Sequence, residues 1–274
     1  EEYLLLEQKD RDMKHITIYD SIYEVPGSWN DLSREQLHTL VKLTFREGLS
    51  TIELQLKFFL FCVGGSVRMN IANGLFTIRT CKSKHALFAD ELTTILTAFD
   101  WLYRTNEKGE HEISPKLIIN HHKRIRSGCR YLYGPGDALD NITYDQFVWL
   151  QTWQSRVKDD PSVLDELVNV IYKTKSGDQD VKNIKHLNHV IKTSILWFYL
   201  GTLQFLESRF PNVFTSSGES SDSVFDSQQK IIDSLAEGDV TKKMQVRESL
   251  LYDALYSMEM AAIRMKEYEK KNKK

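Results

Sequence analysis

Two histidines three residues apart, His186 and His189, would share one face of a helix, and imidazoles so placed can bind a divalent metal. No glutamate stands beside them in the pattern of a metalloprotease, and no third ligand is evident. His121 and His122 are adjacent, so on a regular element their rings diverge and do not converge on one ion. Gly134-Pro135-Gly136-Asp137 has the glycines of a phosphate loop but not its glycine-lysine-serine/threonine ending, and reads as a turn. The three cysteines, Cys62, Cys81 and Cys129, contain no CxxC pair, and an odd number leaves one over after any pairing. A reducing compartment and buried, inert thiols are the simpler reading. The sequence therefore names no catalytic residue, no cofactor and no metal.

What remains are residues suited to contact. Lys116, Lys123, Arg124, Arg126 and Arg130 surround His121 and His122 and run into Tyr131 and Tyr133. That stretch fits either an acidic partner or a solvated face, and it is the one place where an unfamiliar enzyme site could lie. Across the whole chain, 36 basic residues meet 38 acidic ones for a net charge of −2, which recommends no nucleic acid as partner. Trp149 and Trp153 lie four residues apart, off the stripe formed by Phe147, Leu150 and Val157, where aromatics can anchor a protein interface or pack in a core. Leu251, Leu255 and Met258 form an apolar face near the end of the chain. The methionines Met258, Met260 and Met265 suit either an adaptable surface or a core.

The elements that must position these residues are marked by caps. Ser33 with Gln36, and Ser50 with Glu53, have the spacing of capping boxes, which satisfy the free N–H groups of a helix start. Leu37, Leu40, Val41 and Phe45, then Leu56, Phe59, Leu60 and Val63, give each helix one apolar stripe, and a short turn joins them. Thr143 and Gln146 repeat the box. Asp160-Pro161 opens a partner helix with Leu164, Leu167, Val168 and Ile171 on one face. The offset between the boxes is 143 − 33 = 110 residues. A duplicated hairpin, 29–64 and 139–174, would leave that pattern, and so would any two well-capped helices. Asn73-Gly74 predicts a β-hairpin over 67–80, and His15 to Tyr19 reads as a short strand or an extended arm. A third helix is expected over Asp90 to Tyr103, closed by Asn106 to Gly109, and a long buried helix from about Asn183 to Ser208. The apolar run Ile195 to Leu206, about 12 residues, is too short for a membrane span of roughly 20. The first residues lack the positive start and hydrophobic length of a secretory signal.

These signals predict a mainly α protein: a multi-helix bundle built from helical hairpins, with a small β-hairpin insertion. The expected division is a main domain over 1–214, a serine/glycine-rich flexible linker at 215–224, and a C-terminal helical segment over 225–274 that resumes as one helix after Gly238-Asp239.

Several stretches resemble a family encoded in the tail-gene regions of phages and prophages of Bacteroidetes bacteria. They are Val25 to Ser33, Tyr133 to Phe147, Arg209 to Phe214 and Leu235 to Thr241, together about a seventh of the chain. The late block, a linker, a helix, a Gly-Asp-x-Thr cap and a last amphipathic helix, looks like the layout of phage tail-assembly chaperones. The lysine-rich tail Lys270 to Lys274 departs from that pattern. The resemblance implies a non-enzymatic protein of virion morphogenesis that binds a tape-measure protein, or else a structural subunit of a tail, neck or baseplate. Its expected partners are other tail proteins or further copies of itself, with no nucleic acid and no membrane. Its expected location is the bacterial host cytoplasm, or the virion if it is structural. The partner-binding residues expected on this reading are Trp149, Trp153, Leu251, Leu255 and Met258.

Overall fold

The computed structural model describes residues 13–70, 74–80, 83–157, 159–179, 184–214 and 224–272. The chain divides into two compact units, Glu1–Lys116 and Leu117–Lys274.

In the first unit, β1 (Met13–Ile18) and β2 (Ser21–Pro26) pair antiparallel, with Ile16 opposite Tyr23. Ile16, Ile18, Tyr23 and Val25 are buried, as the alternation of a half-buried strand requires. The Ser33 and Ser50 capping boxes both form, and they start α1 (Arg34–Thr44) and α2 (Thr51–Cys62). The segment expected as a β-hairpin becomes a three-stranded antiparallel sheet of β3 (Ser66–Asn70), β4 (Leu75–Arg79) and β5 (Lys84–Leu87). Beyond it, α3 (Ala89–Leu96) tightens into a 3-10 turn over Thr97–Leu102 and gives way to β6 (Tyr103–Thr105), paired with β7 (His111–Ile113). Asn106 to Gly109, expected to close a helix, instead turns the chain between these strands, with the Asn106 side chain accepting from the backbone N–H groups of Lys108 and Glu110. Phe58, Phe59, Phe99, Leu37, Leu40 and Trp29 fill the core.

The second unit opens with the hairpin of β8 (Arg124–Ser127) and β9 (Arg130–Tyr133). The helical hairpin of α4 (Tyr144–Val157) and α5 (Leu164–Ile171) follows. Thr143 and Gln146 cap it reciprocally, at 3.0 and 3.3 Å. The central helix is α6 (His189–Arg209), with Ile195, Trp197, Phe198, Tyr199 and Leu206 buried on several sides, as its continuous apolar run implies. Next come α7 (Val224–Leu235), α8 (Val240–Glu248) and α9 (Leu251–Asn272). The expected linker falls at residues 215–223, outside the described residues, and at Val224, which opens α7.

The mainly α bundle is corrected to a mixed α/β fold: among the described residues 55% are helical and 18% are in strands, in four small sheets. The physical reason is strand length. Strands of three to six residues carry too few side chains for a period-2 pattern to stand out, whereas helix caps and stripes repeat over several turns. One expected helix is also two. The backbone is extended at Ser249, where Tyr144 N–H donates to Ser249 O at 2.9 Å and Leu251 N–H donates to Ile142 O at 3.0 Å. No proline or glycine marks that break, because its cause is a pairing with residues more than 100 positions earlier.

The chain also divides elsewhere than at 215–224. The boundary follows Lys116, and α7 to α9 belong to the second unit. Tyr144 Oη donates to Gln228 at 2.7 Å, Arg247 pairs with Asp145 at 2.5 Å, and Glu259 holds the backbone N–H groups of Asn212 and Val213. No helix among the described residues is long and apolar enough to cross a membrane.

Candidate functional site

The five residues expected to bind a partner lie in the second unit, and three kinds of environment hold them. Trp149 and Trp153 stack on α4 with ring centroids 6.0 Å apart. Phe225 of α7 lies 5.4 Å from Trp149, and the Arg156 guanidinium sits 5.4 Å over Trp153. Both indoles are half-buried, so α7 already takes part of the surface they offer. Leu251 and Leu255 are core residues, 0% and 1% exposed, and reach no partner while α9 stays docked. The periodicity that marked them as a face is the periodicity of docking onto the chain's own helices. Met258 is half-buried, with its sulfur 3.9 Å from the Tyr144 hydroxyl.

Beyond Met258 the apolar spacing does not stop. Leu251, Leu255, Met258, Ala262 and Met265 follow at intervals of four, three, four and three, the seam of a helix that packs along another helix. The first two are buried and Met265 is 66% exposed, with Tyr268 beside it at 69%. The last turns of α9 thus carry an apolar stripe that the described residues leave open to solvent. Lys266 Nζ, donating to Asn212 Oδ1 at 2.6 Å, holds that part of the helix against the end of α6.

Of the motifs weighed for chemistry, Gly134 to Gly136 is an irregular link and not the expected turn; Gly136 is extended and opens a 3-10 helix at Asp137–Leu139, and the segment's polar groups are used internally. Asn120 donates to Pro135 O at 2.8 Å, Asn141 accepts from Gly136 N–H at 2.8 Å, and Lys123 pairs with Asp137 at 2.9 Å. A Cβ on Gly136 would lie 1.9 Å from Asp140 Oδ1, so a larger residue there would displace the Asp140 carboxylate. Burial, then the neighbouring Asp137, raises the Asp140 carboxyl above its ordinary range. His122 is buried, its backbone N–H held by Asn120 Oδ1. Among the described residues, no group of three or more His, Cys, Asp or Glu could hold a metal. Burial pushes the Cys62 thiol up to about 12, Cys129 is exposed, and Cys81 lies outside the described residues.

Sequence reasoning missed one cluster in the first unit. Tyr23 Oη lies 2.6 Å from Ser83 Oγ, 3.0 Å from His85 Nε2 and 3.1 Å from Thr80 Oγ1, and Ser83 Oγ lies 2.5 Å from the same Nε2. A hydroxyl against an imidazole nitrogen is how a base activates a nucleophile. Here, however, Tyr23 competes for that nitrogen. Ser83 also closes a turn, its N–H donating to Thr80 Oγ1 at 3.1 Å and its carbonyl accepting from Thr80 N–H at 2.9 Å. Tyr19 stacks over the imidazole at 5.8 Å. This is a polar pin joining β2 to β5. The alternation Ser83-x-His85 could have placed both on one strand face, but only the fold brings Tyr23 to them. Tyr23→Phe should lower stability by about 1–2 kcal/mol in denaturant titration, because it strips a shared partner from buried groups.

No protein-family model, curated protein or solved structure matches this chain.

Proposed function

We propose that this protein acts by binding another protein in phage tail morphogenesis, as an assembly chaperone that covers apolar helical stretches of a tape-measure protein. The observation that carries the reading is the apolar seam of α9, which runs from buried Leu251 and Leu255 to exposed Met265. A helix whose inner half is pinned and whose outer half presents Ala262, Met265 and Tyr268 offers a partner helix a place to pack. Met265 suits a surface that must accept varied sequences, since its unbranched thioether adapts in shape. Of the residues first expected to make contact, Met258 and the edges of Trp149 and Trp153 remain available, while Leu251 and Leu255 support the helix from below.

The test is co-expression with the tail proteins, affinity capture, and mass spectrometry of both the captured material and purified particles. Recovery with the tape-measure protein and absence from particles is the expected result. Ala262→Glu with Met265→Glu should weaken capture about tenfold or more, as loss of an interface anchor does. Stoichiometric presence in particles would make the chain a structural subunit of the tail, neck or baseplate. Capture of no tail protein would end the reading.

A further inference from the structure

The hairpin of β8 and β9 presents an outward surface of arginines and tyrosines. Ile125, Ser127 and Leu132 turn inward and are buried. Outward stand Arg124 opposite Tyr133 and Arg126 opposite Tyr131, two guanidiniums and two phenols in a two-by-two array. Tyr131 and Tyr133 are 47% and 42% exposed. The Arg124 guanidinium lies diagonally over the Tyr131 ring, 4.6 Å from its centroid. Tyr133 pairs through its backbone with Lys173, at 2.8 and 3.1 Å, so the hairpin gains a basic third edge. An open groove beside it is lined by Arg130, Tyr131, Tyr133, Lys175 and Asp178. Among the described residues, no salt bridge involves Arg124, Arg126, Arg130, Lys173 or Lys175.

We propose that this face binds single-stranded nucleic acid, an activity beyond the protein-binding reading and independent of it. The cations match phosphates, and the rings give bases a surface to stack on. Residues i and i+2 of a strand point the same way at about 6.6 Å spacing, so Tyr131 and Tyr133 can each take one of two successive bases of an extended strand. An acidic protein segment would satisfy the arginines and leave the paired aromatic rings without a matching planar group. A duplex keeps its base faces stacked inside and would use the phosphate contacts alone. The chain's net charge of −2 does not oppose this, because binding responds to the local field, where these cations outnumber Asp178.

The test uses the full chain and a fluorescein-labelled oligothymidylate of about 12 nucleotides, within the range of one small single-strand site. Anisotropy is read at about 50 and about 200 mM salt. The wild type should bind at low salt and weaken steeply at the higher. Arg124→Gln with Arg126→Gln should weaken binding and flatten the log–log salt slope by about 1.4, from about 0.7 for each single-strand phosphate that loses its cation. Tyr131→Ala with Tyr133→Ala should weaken it about tenfold or more with the slope unchanged, since stacking releases no counterions. Tyr131→Phe with Tyr133→Phe should restore it, which separates stacking from any damage to the hairpin. A labelled polyglutamate peptide should bind more weakly and ignore the tyrosine changes. No oligonucleotide binding at low salt would overturn the proposal. Full affinity in the double tyrosine-to-alanine variant would reduce the face to a general polyanion site, and polyglutamate binding as tight as the oligonucleotide would make it a protein contact. Either result would also overturn it.

Discussion

Asp165→Ala should destabilise the second unit by about 2–4 kcal/mol, and Lys192→Met in the same chain should recover most of that loss. Asp165, in the first turn of α5, pairs at 2.5 Å with Lys192 of α6, and the two side chains are 20% and 9% exposed. Among the described residues, the lysine ammonium has one further partner, the Lys185 carbonyl at 3.2 Å. Removing the aspartate therefore leaves a cation with little access to water and a single neutral acceptor. The penalty comes from that stranded charge and exceeds what the pair itself contributes, because two charges drawn out of water regain little more than their own desolvation. Partial exposure of Asp165 keeps the value below the largest effects seen for fully buried pairs. Lys192→Met retains the apolar stem and removes the charge, so the double variant lacks the stranded group. Denaturant titration of the four members of the cycle measures this. A double variant as unstable as Asp165→Ala alone would mean that the loss comes from the α5 start and not from the lysine.

Phe99→Ala should lower the stability of the first unit by about 3–5 kcal/mol, the range for emptying a large aromatic site in a packed core. Phe99 is fully buried, 5.5 Å from Phe58 in an edge-to-face contact and 6.2 Å from Phe59. It stands in the 3-10 turn that follows α3, while Phe58 and Phe59 belong to α2. The substitution thus removes transfer free energy and the aromatic contacts that join two elements. A 3-10 turn gives the site little freedom to collapse, so the cavity should persist. For a unit of this size the thermal midpoint should fall by about 10–20 °C. A fall of only a few degrees would show that Phe58 and Phe59 close over the gap.

How much of the molecule is legible in its sequence depends on range along the chain. Three capping boxes, at Ser33, Ser50 and Thr143, are readable because the donor and acceptor that satisfy a helix start lie three residues apart. Tyr23, Ser83 and His85 are not, because 60 positions separate the tyrosine from the serine. The expected contact residues split on the same ground. Leu251 and Leu255 do lie on an apolar face, yet a face does not say whether a partner or the chain's own α4 will cover it. Trp149 lies off the main stripe as expected, but Phe225 of a later helix partly covers it. The basic run near Tyr131 is visible in the sequence as charge. Its alternation into an Arg/Tyr array comes from strand pairing, which neither composition nor net charge reports.

By itself the sequence determined the helix starts capped at Ser33, Ser50 and Thr143 and the largely buried course of Ile195 to Leu206. Each of these rests on interactions within one or two turns of chain, where residue type and spacing suffice. Tertiary structure alone decided the mixed α/β class, the boundary after Lys116, the break at Ser249 and the array on β8 and β9. A short strand is stable only once a partner supplies its hydrogen bonds. That partner is chosen by packing across the fold, and no window along the chain contains it.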